Sequence, residues 1–413
     1  MRVVRAGRLQ IARVWLKLIF RAAVVAGMRT ILLSALLLIA VACGQAQGKP
    51  TSSVGSPTAN ASPALLFAVL EAKGTANAWT YNTVAIAGLD GHARASATFA
   101  PMPVPDLGCM GAVIPESAHV AAGKVFFADA KGVVRSLAVD GTVKTAATFP
   151  LTSGQQMLSF AVSPEGSRLL GTVFTSPKSA FSCTGSSSAG TFAYDAYSAT
   201  NGGSSQLVHH ESWTKPQDLL ALTGWDSIGP LGTYPTVWAS QGGGPGSTLG
   251  VKVRVDATTI KPGTVLSNPS SCTVWSSIQS GSFVCTKDAV ITNGGTPQQQ
   301  VTVPVSVRGA DGAELWHATV VGQNSPFGPF LAPDGQHVMI CCNDRNLSDS
   351  HELLVGRDGS QVDLAQGFGA YGWLDSTTMV GWVNSNMAYV AANAPGTAVS
   401  MGFSGAFVGT VRA

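Results

Sequence analysis

The sequence predicts an all-β fold, a single β-propeller domain carried behind an export signal. Three observations predict it. After residue 65 there is almost no sustained 3.6-residue apolar periodicity. Short runs rich in β-branched and aromatic residues, such as "KVFFADAKG", "VKVRVDA" and "HVMICC", are broken instead by Gly, Asp, Asn, Ser and Pro. Asp-Gly pairs recur inside strand–turn–strand units at Asp90, Asp140, Asp311 and Asp358, with steps of 50 residues between the first two and 47 between the last two. A period of that size marks a repeated supersecondary unit, and the folded part, about 350 residues, is too long for one sandwich but suits a ring of four-stranded blades.

Residues 1–42 read as a leader and signal peptide, a signal helix outside the fold. Ile31 to Val41 is an uncharged run of eleven residues. A bilayer-spanning helix needs about 20 apolar residues, whereas a signal h-region needs roughly 7–15. Arg29 supplies the positive flank and Ala42-Cys43-Gly44 the small-residue cleavage context. The segment resembles a bacterial lipoprotein signal. The resemblance implies lipidation of Cys43 and anchorage on the extracytoplasmic side of a bacterial membrane, in the cell envelope. Ala40 stands where that pattern usually carries leucine, and Ala40-Val41-Ala42 also fits an A-x-A site, so plain secretion is the alternative. Met28 opens a conventional precursor, "MRTILLSALLLIAVAC", so residues 1–27 read as an over-extended start. The alternative is a basic interfacial helix over 11–24, with Arg13, Lys17 and Arg21 on one face.

Residues 43–64 form a lipidated, disordered tether. The stretch "GQAQGKPTSSVGSPTANASP" has one charge and too little apolar surface to bury. Removing the leader also changes the charge. The whole chain has 25 basic and 22 acidic residues, net +3, but residues 1–42 hold seven of the basic ones and no acid. The remainder is 18 basic against 22 acidic, net −4. Such a chain lacks the basic surface on which counterion-release binding depends, which excludes nucleic acid as a partner.

Residues 65–413 are the propeller domain. The Asp-Gly turns, joined by "FAVSPEGSRLLGTVF" and "FLAPDGQHVMIC", lay out units near 109–150, 155–210, 217–267, 270–318, 325–364 and 369–401. Weaker copies surround Trp225 and Trp373. Three strands over 65–105 and the terminal strand "GAFVGTVRA" remain, and their pairing completes a seventh four-stranded blade by joining the two termini. Six or eight blades are the alternatives. Asp-Gly suits the turns as a type I′ pair with φ > 0 at both positions. Ser163-Pro164-Glu165-Gly166 and Ala332-Pro333-Asp334-Gly335 match, with single substitutions, the "SPDG" turn of TolB-type and WD-like bacterial propellers, which the chain resembles. The turn is structural, so the resemblance implies the fold and transfers no ligand-binding residue. The segment 176–190 is longer than a blade loop requires and is expected to fold over one face, pinned by Cys183.

If Cys43 carries lipid, six cysteines remain: Cys109, Cys183, Cys272, Cys285, Cys341 and Cys342. An even number in an oxidising compartment suggests disulfides. Cys272 and Cys285 lie symmetrically about Ile278-Gln279, so a hairpin turning there sets them opposite one another. Cys341 and Cys342 are neighbours in a strand and face opposite ways, so each is expected to seek a different partner. No C-x-x-C spacing points to a metal.

The chemistry-bearing residues are scattered. No catalytic, cofactor or metal residue is assigned. His92, His119, His209, His210, His317, His337 and His351 show no ligand spacing. His209-His210-Glu211 reads as exposed outer-strand polarity and "GGGPGSTLG" as a loop. "DRNLSD", Asp344 to Asp349, begins like a calcium loop but has Asp349 and Val355 where glycine and glutamate belong, so it too reads as a loop. Trp225, Trp373 and Trp382 are expected to pack between blades, while Trp79, Trp213 and Trp238 fall nearer loops. The resulting expectation is a non-catalytic binding or interaction module meeting a protein or glycan ligand at a propeller face. The alternative is an exported propeller hydrolase or lyase acting on glycans or peptides, with Asp106, Glu116, Asp226 and Asp375 as candidate carboxylates.

Overall fold

Every regular element among the described residues is a β-strand. The computed structural model describes residues 65–412 apart from 75–79, 110, 113–114, 182–189, 215–218, 237–238, 241–250, 267–272, 275–280, 288–289, 293, 295–299, 323–326 and 342–351. Cys43, the leader and the tether therefore lie outside the described residues, as do Cys183, Cys272, Cys342, His351, Trp79, Trp238, "GGGPGSTLG" and "DRNLSD".

The strands are antiparallel meanders taken in chain order. The first sheet uses β1 (Leu66–Glu71), β2 (Thr83–Gly88) and β3 (Ala93–Thr98). A two-residue strand, β4 (Gly111–Ala112), precedes the second sheet, β5 (Ala118–Ala121), β6 (Lys124–Ala128), β7 (Val133–Leu137) and β8 (Val143–Thr148). The third is β9 (Gln156–Val162), β10 (Arg168–Thr175), β11 (Phe192–Thr200) and β12 (Gln206–Trp213). The fourth is β13 (Leu219–Trp225), β14 (Pro230–Thr236), β16 (Val251–Val255) and β17 (Pro262–Val265), with the short β15 (Ala239–Ser240) between its middle strands.

The fifth sheet has five strands: β18 (Thr273–Val274), β19 (Phe283–Thr286), β20 (Val290–Thr292), β21 (Gln300–Arg308) and β22 (Glu314–Gly322). Two of them share one place. β22 runs along one edge of β21, while β19 and β20 follow each other along the other edge. The sixth sheet is β23 (Phe327–Leu331), β24 (His337–Cys341), β25 (Leu353–Gly356) and β26 (Gln361–Asp363). The seventh is β27 (Gly369–Trp373), β28 (Thr378–Val383), β29 (Asn386–Ala391) and β30 (Ala398–Ser400). The terminal β31 (Ala406–Val411) returns to the first sheet, with Leu66 opposite Val411 and Leu70 opposite Ala406. The termini pair as the sequence predicts.

The third sheet shows why these residues make these strands. Its first strand, "QMLSFAV", is buried at every position, whereas its last, "QLVHHESW", is exposed or half-exposed throughout. An inner strand has a neighbouring sheet on each face, so it needs a continuous apolar run rather than alternation. The outermost strand is free to be polar.

Seven apolar clusters fill the spaces between successive sheets. Val125 and Phe127 meet Ile86 and Val411 between the first two, and Phe126 and Phe149 meet Phe160 and Leu158 between the next. Phe192 and Leu170 face Leu220 and Val253, Leu231 faces Phe283, and Trp316 and Val305 face Val338 and Leu353. Met339 and Leu354 face Trp373 and Met379. The last cluster, Val380 and Met387 with Phe67 and Ala85, joins the seventh sheet to the first. The arrangement is a closed all-β propeller. Indole donors add to two of these interfaces: Trp316 Nε1–H reaches the Gly335 carbonyl at 2.7 Å and Trp373 Nε1–H the Phe330 carbonyl at 3.0 Å.

Candidate binding face

A four-strand meander returns the chain to the end where it began, and short connectors start the next sheet there. The two ends of the propeller therefore differ in kind. One end carries the turns after each first and third strand. The other carries the connectors and the loops between second and third strands.

The first end is made of tight turns. In the four Asp-Gly hairpins the glycines have φ between 76° and 85°, but the aspartates do not enter the left-handed region. The expected type I′ geometry is thus replaced by a type I turn followed by a left-handed glycine. At Asp90, Gly91 N–H bonds the Gly88 carbonyl at 3.0 Å and Gly88 N–H bonds the His92 carbonyl at 3.1 Å. Asp remains the favoured residue for a different reason: its carboxylate accepts the N–H two residues on, at 3.1 Å from His92, 2.9 Å from Thr142 and 3.0 Å from Ser360. These hydrogen bonds hold the carboxyls of Asp140 and Asp358 below their usual range, and the Arg94 guanidinium does the same for Asp90. Type I′ geometry occurs at Ala122-Gly123, with φ of 48° and 67°, and, at the opposite end, at Asn384-Ser385, where both residues have positive φ.

Two of the candidate carboxylates belong to this end and are occupied by it. Asp226 accepts from Ile228 N–H and Gly229 N–H and from the Arg254 guanidinium at 2.5 Å. Asp375 accepts from the N–H and hydroxyl of Thr377. Asp106 and Glu116 lie at the opposite end, so the four carboxylates do not converge.

At that opposite end the connector from the first sheet to the second, residues 99–117, runs across its neighbours. Ser179 N–H bonds the Asp106 carbonyl at 2.8 Å, Phe181 N–H the Leu107 carbonyl at 3.0 Å, and Cys109 N–H the Phe181 carbonyl at 3.0 Å. Leu107 and Ala180 are buried in the cluster between the third and fourth sheets. Farther along, β4 pairs with β15, placing Ala112 opposite Ala239. One connector thus ties three sheets together at one end, and residues 176–181 of the long loop lie against it.

Beneath this lacing stands a set of titratable groups that sequence reading did not single out together. His119, on β5, lies edge-on to Phe160 with ring centroids 4.7 Å apart, and its Nδ1 is 4.0 Å from Glu116. Burial holds the imidazole below its usual range, while Glu116 pulls the other way. Burial likewise lowers the Lys252 ammonium, again opposed by Glu116. The set spans the second to fourth sheets. No spacing in the sequence marks the set, because Glu116 and His119 precede or open one sheet, Phe160 lies in the first strand of the next and Lys252 in the third strand of the fourth.

A second set lies where the sixth and seventh sheets meet. Glu352, 7% exposed, accepts the Ala370 N–H at 2.6 Å through Oε1. Burial pushes its carboxyl up to about 7. Tyr371 follows on β27 and is about one-third exposed; partial burial raises its phenol, and the nearby Tyr81 hydroxyl adds to the shift. Trp382, expected between blades, is 44% exposed. Its indole lies flat against Gly369, where any Cβ would collide with the ring. Trp373 is buried as expected, and Trp225 is half-buried under the Arg168 guanidinium, 5.6 Å from the ring centroid.

The remaining sequence candidates are dispersed. His209 Nε2 contacts Glu211 on one face of β12, and His210 Nδ1 contacts Asp195 on the other, both at 2.5 Å, as neighbours on an outer strand should. The hairpin of β18 and β19 forms, but its register sets Val274 opposite Cys285. Symmetry about Ile278-Gln279 would set Cys272 there; Cys272 itself lies outside the described residues. Cys285 is fully buried, 3.2 Å from the Ser306 hydroxyl. Cys341 ends β24, opposite Phe327.

No family model matches the chain, and no characterised protein matches it in sequence. Solved structures do. TolB from Acinetobacter baumannii is similar over 73% of this chain and 64% of its own, at 14% identity and a TM-score of 0.37. The chain thus spans just under two thirds of that protein's length. A protein described as TolB from Agrobacterium tumefaciens matches over 76% of this chain and 87% of its own, at 11% identity and a TM-score of 0.28. Oligogalacturonate lyase from Vibrio parahaemolyticus matches over 78% and 70%, at 8% identity and a TM-score of 0.26. TolB, the propeller type whose turn the sequence resembles, is among these structures, while the propeller fold itself rests on the sheet order and on the closed ring of apolar clusters.

Proposed function

We propose that the chain is an exported envelope protein, lipid-anchored through Cys43, that presents a seven-bladed propeller as a non-catalytic binding module. The ligand, a protein or a glycan, meets the loop-bearing end. The observation that carries this reading is the difference between the ends. One consists of turns whose polar groups are satisfied locally. At the other, residues 99–117, 176–181 and 239–240 are laced together, and loops on a rigid scaffold are where binding residues concentrate. The seven apolar clusters support the blade count. The dispersal of Asp106, Glu116, Asp226 and Asp375 to opposite ends argues against acid–base catalysis by that set.

Disulfides belong to the same proposal. Cys109 and Cys285 are read as oxidised, which an even set of cysteines in an exported protein favours. Cys109 lies beside Phe181, so Cys183 is its proposed partner, and Cys272 that of Cys285 across the diagonal of the hairpin.

An exported hydrolase or lyase is the second reading, favoured by the Glu116–His119 contact and by a buried carboxyl at Glu352. One experiment separates the two. The membrane-extracted protein is weighed intact, then incubated with envelope glycans and peptides while products are followed by mass spectrometry. The expected result is a mass beginning at Cys43 with a lipid-sized increment and six hydrogens missing, and no turnover. A mass that retains residues before Ile31 overturns the anchor, and accumulating cleavage products overturn the binding module.

A further inference from the structure

Among the residues whose burial is described, two Phe, Tyr or Trp rings are exposed, Tyr371 and Trp382, and both stand on the β27–β28 hairpin. Exposing one indole costs a folded protein little, but fixing its orientation while leaving it exposed requires a device. Here the device is Gly369, paired directly with Trp382, whose missing side chain lets the ring lie across the backbone. Tyr371 follows two residues along β27, at the bulge that shifts the register between Ala370 and Gly372. Between them Ala370 is held from below, its N–H bonded at 2.6 Å to buried Glu352. The platform is therefore rigid before anything touches it, and a pre-formed surface loses little entropy on binding.

The surroundings select the ligand's chemistry. Beside Trp382 the β28–β29 turn carries Asn384, Ser385 and Asn386, all exposed, with the first two fixed in positive-φ conformation. From Leu364 to Val383 the only charged residue is Asp375, at the opposite end of the strands and bonded to Thr377. An apolar aromatic face bordered by amides and hydroxyls, on a hairpin whose own strands carry no free charge, complements a molecule that has one flat C–H face and a rim of hydroxyl groups.

We propose that the β27–β28 hairpin is a binding site for a neutral glycan, with a pyranose ring stacked on the Trp382 indole, Tyr371 flanking it, and Asn384 to Asn386 accepting and donating hydrogen bonds to its hydroxyls. The assignment rests on the binding-module reading and narrows it to a ligand class and a place. It was not legible as a motif, because Trp382 and Gly369 are thirteen residues apart and meet only through the register.

The test is calorimetric titration of the full-length chain in detergent with neutral oligosaccharides of cellulose, chitin and starch type. Wild type is compared with Trp382→Ala, Trp382→Phe and Tyr371→Ala, with thermal midpoints measured for each. The expected result is saturable binding of at least one oligosaccharide. That binding weakens at least tenfold in Trp382→Ala, less in Trp382→Phe, and measurably in Tyr371→Ala, in variants whose thermal midpoints show them folded at the titration temperature. Binding that is equal in wild type and both alanine variants overturns the site. Absence of binding to every neutral oligosaccharide overturns the ligand class. A photo-crosslinker placed at Tyr371 that captures an envelope protein in cells would then preserve the binding-face reading while removing the glycan. Failure of both measurements removes that reading as well.

Discussion

Two buried side chains set the pH range in which this protein is most stable, and they pull in opposite directions. Glu352 has its folded pKa raised to about 7 by burial, so between its ordinary value and 7 the native state binds the extra proton. Stability contributed by the neutral carboxyl is therefore full in acid and is lost as pH rises toward 7, by up to about 3 kcal/mol. His119 has its folded pKa lowered by burial. The unfolded chain then binds the extra proton, and stability is lost as pH falls below about 6.5. Glu352→Gln keeps the acceptor for Ala370 N–H and removes the charge. Its denaturation midpoint should exceed wild type at pH 8 and match it at pH 5. Equal midpoints at both values would show that the carboxyl stays solvated. Ala122 offers a smaller test. It holds φ of 48° in its turn, a conformation that costs a non-glycine residue about 1 kcal/mol. Ala122→Gly should stabilise by about 0.5 kcal/mol in urea unfolding once the added freedom of the unfolded chain is counted.

At the scale of the element, the hairpin turn is the unit the sequence displays most openly, and its surroundings are what it hides. Gly91 and Gly359 occupy the same place in the same turn, with φ of 76° and 83°. A Cβ at Gly359 would meet nothing, whereas one at Gly91 would strike the Met401 carbonyl. Gly359→Ala should cost about 1 kcal/mol, the backbone term alone, and Gly91→Ala several times more. Similar losses by thermal unfolding would mean the first turn moves freely away from its neighbour. The sequence shows that a turn exists because Asp-Gly chemistry is local. The same local signal leaves the turn type open, since one or two positive φ values satisfy the same pair. Register is harder still. Cys285 faces Val274 because of where the chain reverses, a matter of one residue, and Trp382 reaches solvent because its partner happens to be glycine. The strand-rich repeat could be read in advance, but the cross-strand partners on which the candidate site depends could not.

For the whole molecule, the decisive contact is the one between its ends. β1 is buried along nearly its full length, and β31 supplies the pairing that covers it. Deleting residues 404–413 should leave Leu66 to Leu70 as an exposed apolar edge, a template for association with other chains. The truncated protein is expected to elute as oligomers, to be cut by protease within the first sheet, and to lose a single cooperative unfolding transition. A monomeric, protease-resistant truncation would show that six complete sheets suffice. The seven clusters between sheets were foreseeable in kind, because inner strands read as unbroken apolar runs. That the connector over 99–117 would reach the fourth sheet was not, since it depends on a two-residue pairing with no compositional mark.

That closure also fixes an order of events in time. Synthesis delivers β1 first and β31 last, with more than three hundred residues between them. Each of the other sheets is assembled from consecutive strands and can form as it emerges. The first sheet cannot, because its innermost strand is still unmade, so its apolar edge waits until the final stretch of the chain is free. The protein therefore passes through an obligatory open-ring state whose lifetime is set by how quickly translation or export delivers β31 after β1. Slowing that delivery should raise aggregation in the cell without altering the stability of the finished ring.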